Sequence, residues 1–343
     1  MRLEARAQYS RTALVVAPFA AIAFTLGVAM LLVAWAGAPV GETYALMFDG
    51  AFGSRFAWSE TLTRATPLML TGLSAAVAFR ARLWNIGAEG QLYAGALAAV
   101  AVGGLHGGTG FDVPTYVLFP AMLAAAVLAG ALLLAIPTLL RTRMGVDEVV
   151  TTLLLNFIVL LFVSLMLDGP MKDPTALGWP QSVALRDDLM LDKLIPRTRV
   201  HTGILYATGL ALALAFVLRA TTFGFETRAV GANARAARFV GVPVSRTMTI
   251  VALISGGLAG FAGAIEVAGR TGYVTLDMSP GYGYSGIVIA MLAGLSPIGV
   301  LVGADSMSRG VAVPTYIADV IVAVSLVSML VATLFARYRL RWT

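Results

Sequence analysis

Residues 149–167 read VVTTLLLNFIVLLFVSLML. No charge interrupts the run, and its length is close to the roughly 20 residues a helix needs to cross a bilayer core. A water-facing helix would show polar residues along one whole face, and a barrel strand would alternate apolar with polar. This stretch does neither. Backbone in lipid must satisfy its own hydrogen bonds, so the run predicts a spanning helix near 147–167.

Runs of the same kind lie near 14–35, 62–80, 84–103, 114–138, 202–218, 247–268, 285–304 and 315–336. The composition agrees: 59% of the 343 residues are hydrophobic and 12% are charged, against about 25% charged in soluble domains. The fold class that follows is all-α, a polytopic transmembrane helical bundle in a single domain, 1–343. Arg2, Arg6 and Arg11 precede the first run and Ala34-Trp35-Ala36 ends it, as in a signal peptide. Its apolar core exceeds the usual 7–15 residues or so of such peptides, which favours an uncleaved span.

Arginine placement orients the bundle, because basic residues collect on the cytoplasmic side. With the N-terminus inside, alternation puts Arg80 and Arg82 inside, then Arg141 and Arg143, then Arg219, Arg228, Arg235, Arg238 and Arg246. Nine simple spans would leave Arg337, Arg339 and Arg341 outside. The run 285–304 resolves this. It is interrupted by Gly294-Leu295-Ser296-Pro297, and proline removes a helical hydrogen bond. Two half-spans, 285–293 and 297–304, bring the total to about ten membrane segments and return the tail to the cytoplasm. Residues 168–200 then form a long outer loop, 219–246 a basic inner loop, and 41–60 an outer amphipathic segment.

Several function classes drop out. There are no cysteines, so thiolate metal sites and disulfides are excluded. His106 and His201 lie far apart at span edges, which suits polar residues near headgroups better than a metal or catalytic centre. The net charge of +6 flanks apolar runs, so membrane lipid explains it and nucleic acid does not. A P-loop needs a lysine after its glycines. The only lysines, Lys172 and Lys193, lack that context. The chain therefore cannot hydrolyse ATP by that route; no cofactor of its own is expected, and ATP-driven transport would take its nucleotide site from a partner subunit.

Two motifs remain. Asn85-Ile86-Gly87-Ala88-Glu89-Gly90-Gln91 follows Arg80 and Arg82 where the chain returns to apolar surroundings. An acid there needs a partner, and Arg80 or Arg82 is the expected one. As a purely structural element, Asn85 would begin a helix and Glu89 would sit in its first turns. In the second motif, Gly231-Ala232-Asn233-Ala234-Arg235-Ala236-Ala237-Arg238-Phe239-Val240-Gly241-Val242-Pro243, Asn233 caps a helix of about two turns from Ala234, Gly241 ends it and Pro243 stops it. A basic helix held at headgroups has the same pattern.

Together these motifs resemble the permease family of ABC importers for branched-chain amino acids, simple sugars and nucleosides, most closely its nucleoside and simple-sugar branch. The likeness extends to Arg64-Ala65-Thr66-Pro67, Gly281-Tyr282-Gly283-Tyr284-Ser285-Gly286 and Ser296-Pro297-Ile298-Gly299. It implies a bacterial inner-membrane subunit with both termini cytoplasmic, an ATP-binding-cassette ATPase, a second related permease and an extracytoplasmic binding protein. It also implies ATPase coupling through Gly231, Ala232, Asn233, Ala236, Ala237 and Gly241. For a nucleoside, Trp84, Phe157, Tyr282 and Tyr284 offer stacking surfaces, and Asn85, Gln91 and Asn156 hydrogen bonds, with Glu89 beside them. One departure stands out: the apolar run after Pro297 ends at Ala304, about two turns early for such a permease.

Other intramembrane polar residues read as structural. Glu266 and Arg270 are spaced for an ion pair, Asp319 lies near a span edge, and Gly256, Gly257, Gly260 and Gly263 form a packing stripe. A secondary transporter would instead place coupling acids at mid-membrane. An intramembrane hydrolase would need a base beside Ser255 or Ser285.

Overall fold

The computed structural model describes residues 2–5, 23–24, 26–31, 33–35, 37, 39–105, 112–308 and 338–341. The expected spans 14–35 (in large part) and 315–336, with Asp319 and His106, lie outside the described residues. The chain divides into two units, Met1–Trp58 with Arg309–Thr343, and Ser59–Ser308.

In the first unit, strands β1 (Arg2–Ala5) and β2 (Tyr338–Arg341) pair antiparallel, with Arg2 opposite Arg341 and Glu4 opposite Arg339. This short ribbon is the one departure from the all-α expectation among the described residues, which are otherwise helical apart from loops. Both segments lie beyond the apolar runs and alternate polar with apolar, the period of a strand rather than a helix. Helix α1 (Val40–Phe52) fills most of the expected outer amphipathic segment, and Tyr44 OH donates to Leu26 O at 2.6 Å.

The second unit is helical, and its first helix begins four residues earlier, in the first unit. Its elements are α2 (Arg55–Arg80), α3 (Ala88–Gly103), α4 (Thr115–Met144), α5 (Glu148–Asp168), α6 (Gly203–Ala220), α7 (Thr222–Ala232), α8 (Ala234–Phe239), α9 (Val244–Glu266), α10 (Tyr282–Leu292) and α11 (Pro297–Ser308). Among the described residues, five helical segments are long and apolar enough to cross a membrane: α2, α4, α5, α6, and α9 with its extension to Thr271. The inner loop 219–246 is largely helical, and α11 continues past Ala304 to Ser308.

Burial sorts the five. The apolar windows of α2 and α9 are 89% and 78% buried, against 22–33% for α4, α5 and α6. The outer faces of α4, α5 and α6 show Leu128, Leu132, Leu154, Phe162 and Phe216, the side chains lipid would cover. The glycine stripe explains how α9 reaches the centre. A Cβ on Gly260 would come within 2.2 Å of Ala126 O, and one on Gly263 within 2.0 Å of Leu92 O. Helix α9 therefore crosses α4 and α3 at backbone contact, which only small residues permit.

Two segments interrupt the helices inside the bundle. Residues 81–87 are non-helical, yet Ala81, Leu83 and Asn85 are buried. Irregular backbone is tolerated at such depth when protein covers it. The second interruption precedes α10. Thr71 Oγ1 donates to Tyr282 O at 2.8 Å, deep along α2, while Arg80 Nε donates to Leu295 O at 3.0 Å in the turn after α10. Helix α10 thus runs only from mid-bundle to the arginine-rich end, and α11 turns back from it.

Candidate functional site

The two interruptions meet. Gly283, in the first turn of α10, packs on the start of α3 so closely that a Cβ would lie 2.2 Å from Glu89 N. Glu89 Oε2 accepts from Gly283 N at 2.6 Å and from the Ser279 hydroxyl. A hydrogen-bond acceptor is favoured there because helix N-termini leave N–H groups unpaired. The expected partners Arg80 and Arg82 are not used. Arg80 turns to Leu295 O, and Arg82, at φ 53°, offers its carbonyl to Arg141 Nη1 at 2.8 Å.

Asn85 does not begin a helix either. Helix α3 starts at Ala88 behind Gly87, and Asn85 sits in the turn before it, where its Oδ1 accepts from Gly87 N at 3.0 Å. Its amide pairs reciprocally with that of Gln91, at 2.9 and 2.8 Å, and Nδ2 also donates to Ser255 Oγ at 3.1 Å. Ser255 in turn bonds Ser74 Oγ and Ser74 O. Asn156 completes the frame from α5: Oδ1 accepts from Gly90 N at 2.8 Å, and Nδ2 donates to Ile86 O at 2.9 Å and Tyr284 OH at 3.1 Å. Glu148, ion-paired with Arg141, accepts from Trp84 N at 3.3 Å, and Thr152 Oγ1 accepts from Ile86 N at 3.3 Å.

Asn85, Glu89, Gln91 and Asn156 are thus drawn together, buried, and bonded largely to protein. Tyr282 is buried as well. Trp84 is 41% exposed, with its ring 4.7 Å from that of Phe79, and Tyr284 is half-buried. Phe157 is exposed on α5, on the same side of the bundle as Ile158 and Leu161.

At the arginine-rich end, Asn233 caps α8 as its sequence predicts: Oδ1 accepts from Arg235 N at 3.0 Å and Ala236 N at 3.1 Å. Gly241 follows with φ +89°, and Pro243 precedes α9. Ala232, Asn233, Ala236 and Gly241 are exposed, whereas Gly231 and Ala237 are buried. A Cβ on Gly231 would lie 1.9 Å from Arg80 O, so this glycine seats α7 against the end of α2. Phe239 and Val240, 92% and 73% exposed, form an apolar tip on α8. Beside it lies an open groove of 760 Å³ lined by Arg238, Val242, Ser245 and Arg246 among others.

The chain matches the family described as branched-chain amino acid transport system / permease component over residues 57–332. It belongs to that permease family. The permease is 34% identical over 320 residues to the guanosine ABC transporter permease protein NupP of Bacillus subtilis, covering 90% of each chain. It is 36% identical over 318 residues to the glucose ABC transporter permease protein TsgB13 of Haloferax volcanii, covering 87% of this chain and 82% of the relative. A second Bacillus subtilis protein, the guanosine ABC transporter permease protein NupQ, is 29% identical over 248 residues, 70% of this chain and 76% of the relative.

The permease also holds polar residues that sequence reasoning missed or placed wrongly. Glu60 accepts from Arg64 Nε at 3.0 Å and from Arg199 Nη1 at 3.1 Å, at the end of the bundle opposite α8. Glu266 pairs with Arg270 as its spacing predicts, but across a π-helical turn, Val267–Thr271. His201 is buried rather than set among headgroups, its ring close to both Gly203 and Gly269. Burial pulls its imidazole down to about 4, assisted by the charge of Arg270. The sequence signals for this group were the i,i+4 spacing of Glu266 and Arg270 and Arg64 at the head of Arg64-Ala65-Thr66-Pro67.

Proposed function

We propose that the chain is the membrane-spanning permease subunit of an ATP-binding-cassette importer in a bacterial inner membrane, with ten membrane segments and both termini in the cytoplasm. The pairing of β1 with β2 supports the termini lying on one side, and the arginine-rich helix ends support that side being inside. The substrate is a nucleoside, with a simple sugar as runner-up, in keeping with the guanosine and glucose relatives. It arrives on an extracytoplasmic binding protein. A second, related permease completes the pathway, a reading supported by the two guanosine permeases of one Bacillus.

The observation that carries the proposal is α8. It is a helix of under two turns, capped at both ends, that presents Phe239 and Val240 beside Arg235 and Arg238. Exposed apolar side chains on a water-facing projection call for a covering partner, and a nucleotide-driven subunit is the partner the family supplies. Ala232, Asn233, Ala236 and Gly241 give that subunit a low-relief surface, while Gly231 and Ala237 anchor the projection from beneath. At the other end of the machinery, Trp84 and Tyr284 are the aromatic groups placed to meet a stackable solute. Asn85, Glu89, Gln91, Asn156 and Tyr282 shape the backbone that presents them.

Ala236→Trp tests the coupling role. Ala236 is exposed on α8, so the ring leaves the bundle unstrained and blocks close docking. Insertion and thermal stability should match wild type, and ATP-driven uptake of radiolabelled nucleoside should fall at least tenfold. Undiminished uptake would remove α8 from the mechanism.

A further inference from the structure

Three buried side-chain polar atoms among the described residues lack a hydrogen-bond partner: Glu266 Oε2, Tyr282 OH and His201 Nε2. They gather around one residue. Glu266 is ion-paired to Arg270, and both Tyr282 and His201 lie within electrostatic range of the Arg270 guanidinium. Arg270 is itself held by Met278 O, which accepts from Nη2 at 3.0 Å. The helix is π-wound through this residue, a departure often found at functional positions.

A buried polar group without a protein partner has given up its bonds to bulk water and gained none from the protein. Apolar side chains would serve packing better at all three positions. Their retention points to an occupant, and their chemistry describes it. Glu266 Oε2 accepts only. His201 Nδ1 accepts from Gly203 N at 3.2 Å, so the proton of the neutral ring is on Nε2, a donor. The Tyr282 hydroxyl does both. One acceptor, one donor and one group of either kind match hydroxyl groups, each of which also donates and accepts. The charges of Glu266 and Arg270 offset one another, so neither a carboxylate nor an ammonium is preferred.

We infer that the outer end of α9 carries a hydroxyl-binding site, Glu266, Tyr282 and His201 set around Arg270, which takes the sugar hydroxyls of a neutral solute in transit. The inference rests on the importer reading above. The groups nearest the surface are Glu60, Arg64 and Arg270, each partly exposed. Glu60 and Arg64 lie within electrostatic range of both Glu266 and Tyr282, so polar groups lie between the site and the rim of the bundle.

Tyr282→Phe removes one hydroxyl and keeps the ring. The assembled transporter, in proteoliposomes with saturating binding protein, is assayed for initial uptake of a ribonucleoside and of its 2′-deoxy counterpart. Discrimination by the binding protein is common to wild type and variant, so a change in the uptake ratio belongs to the permease. The ratio should shift toward the deoxy solute by roughly two- to tenfold, the loss of about one hydrogen bond. Thermal stability should be unchanged or higher, because the removed hydroxyl has no protein partner. Equal slowing of both solutes would mark a site for water alone and overturn the inference. So would a marked loss of thermal stability, which would give the hydroxyl a structural partner. If wild type imports neither nucleoside nor sugar, the importer reading fails, whereas import with an unshifted ratio in the variant defeats this site alone.

Discussion

Gly283→Ala strikes the junction at which the two helix interruptions meet. The added Cβ would lie 2.2 Å from Glu89 N, 2.6 Å from Glu89 Cα and 2.7 Å from Ala88 C. All three are backbone atoms, so no side-chain rotation relieves the overlap. Heavy atoms settle at about 3.5–4.0 Å, and α10 must therefore withdraw by about an ångström or more. That movement opens the 2.6 Å bond from Gly283 N to Glu89 and strains the 2.8 Å bond from Thr71 to Tyr282 O. Overpacking costs about 1–3 kcal/mol, and leaving a buried hydrogen-bonding group without its partner about 1–3 kcal/mol. Together these give a destabilisation of about 2–6 kcal/mol, or on the order of 10 °C in melting temperature for a unit of this size. The assay is size-exclusion chromatography of detergent-purified protein after stepwise heating. Gly209→Ala serves as the control, because no atom lies within 4 Å of its added Cβ. That helical glycine should gain about 0.5–1 kcal/mol on replacement. Equal melting of Gly283→Ala and wild type would refute the close backbone junction.

Two further outcomes follow from the charges. The buried His201 imidazole, pulled down to about 4, stays neutral in the folded chain while the unfolded chain takes up a proton near pH 6.5. Stability from this group is therefore complete above about pH 6.5 and declines by about 3 kcal/mol as pH falls to 4. His201→Asn should flatten the pH dependence of melting across that window, and an unaltered slope would contradict the burial argument. In this cysteine-free chain, Arg235→Cys on α8 should react with a membrane-impermeant thiol reagent in inverted vesicles and resist it in intact cells; the opposite pattern would reverse the proposed orientation.

The sequence by itself determined the helical class, most span positions and the end of the bundle that gathers arginine. It did so because these properties are local: an apolar run of span length, a proline in Gly294-Leu295-Ser296-Pro297, and an Asn233 cap with Gly241 as terminator each act within a few residues. The Glu266–Arg270 pair, one helical turn apart, was legible for the same reason. Glu89 was not. Its neighbours in sequence, Arg80 and Arg82, suggested an ion pair, but its partner is the backbone of Gly283, 194 residues away. Nor did pattern alone reveal that Asn85 and Gln91 bond one another before α3 begins, or that His201 leaves the span edge for the interior. The last of these depends on Gly203 and Gly269 making room for an imidazole beside Arg270. Only the tertiary structure decided these placements. A polar group in a dry bundle bonds whatever donor or acceptor the packing brings near, and which helices come near is set by glycines such as Gly260 and Gly263, whose contacts lie on other segments of the chain.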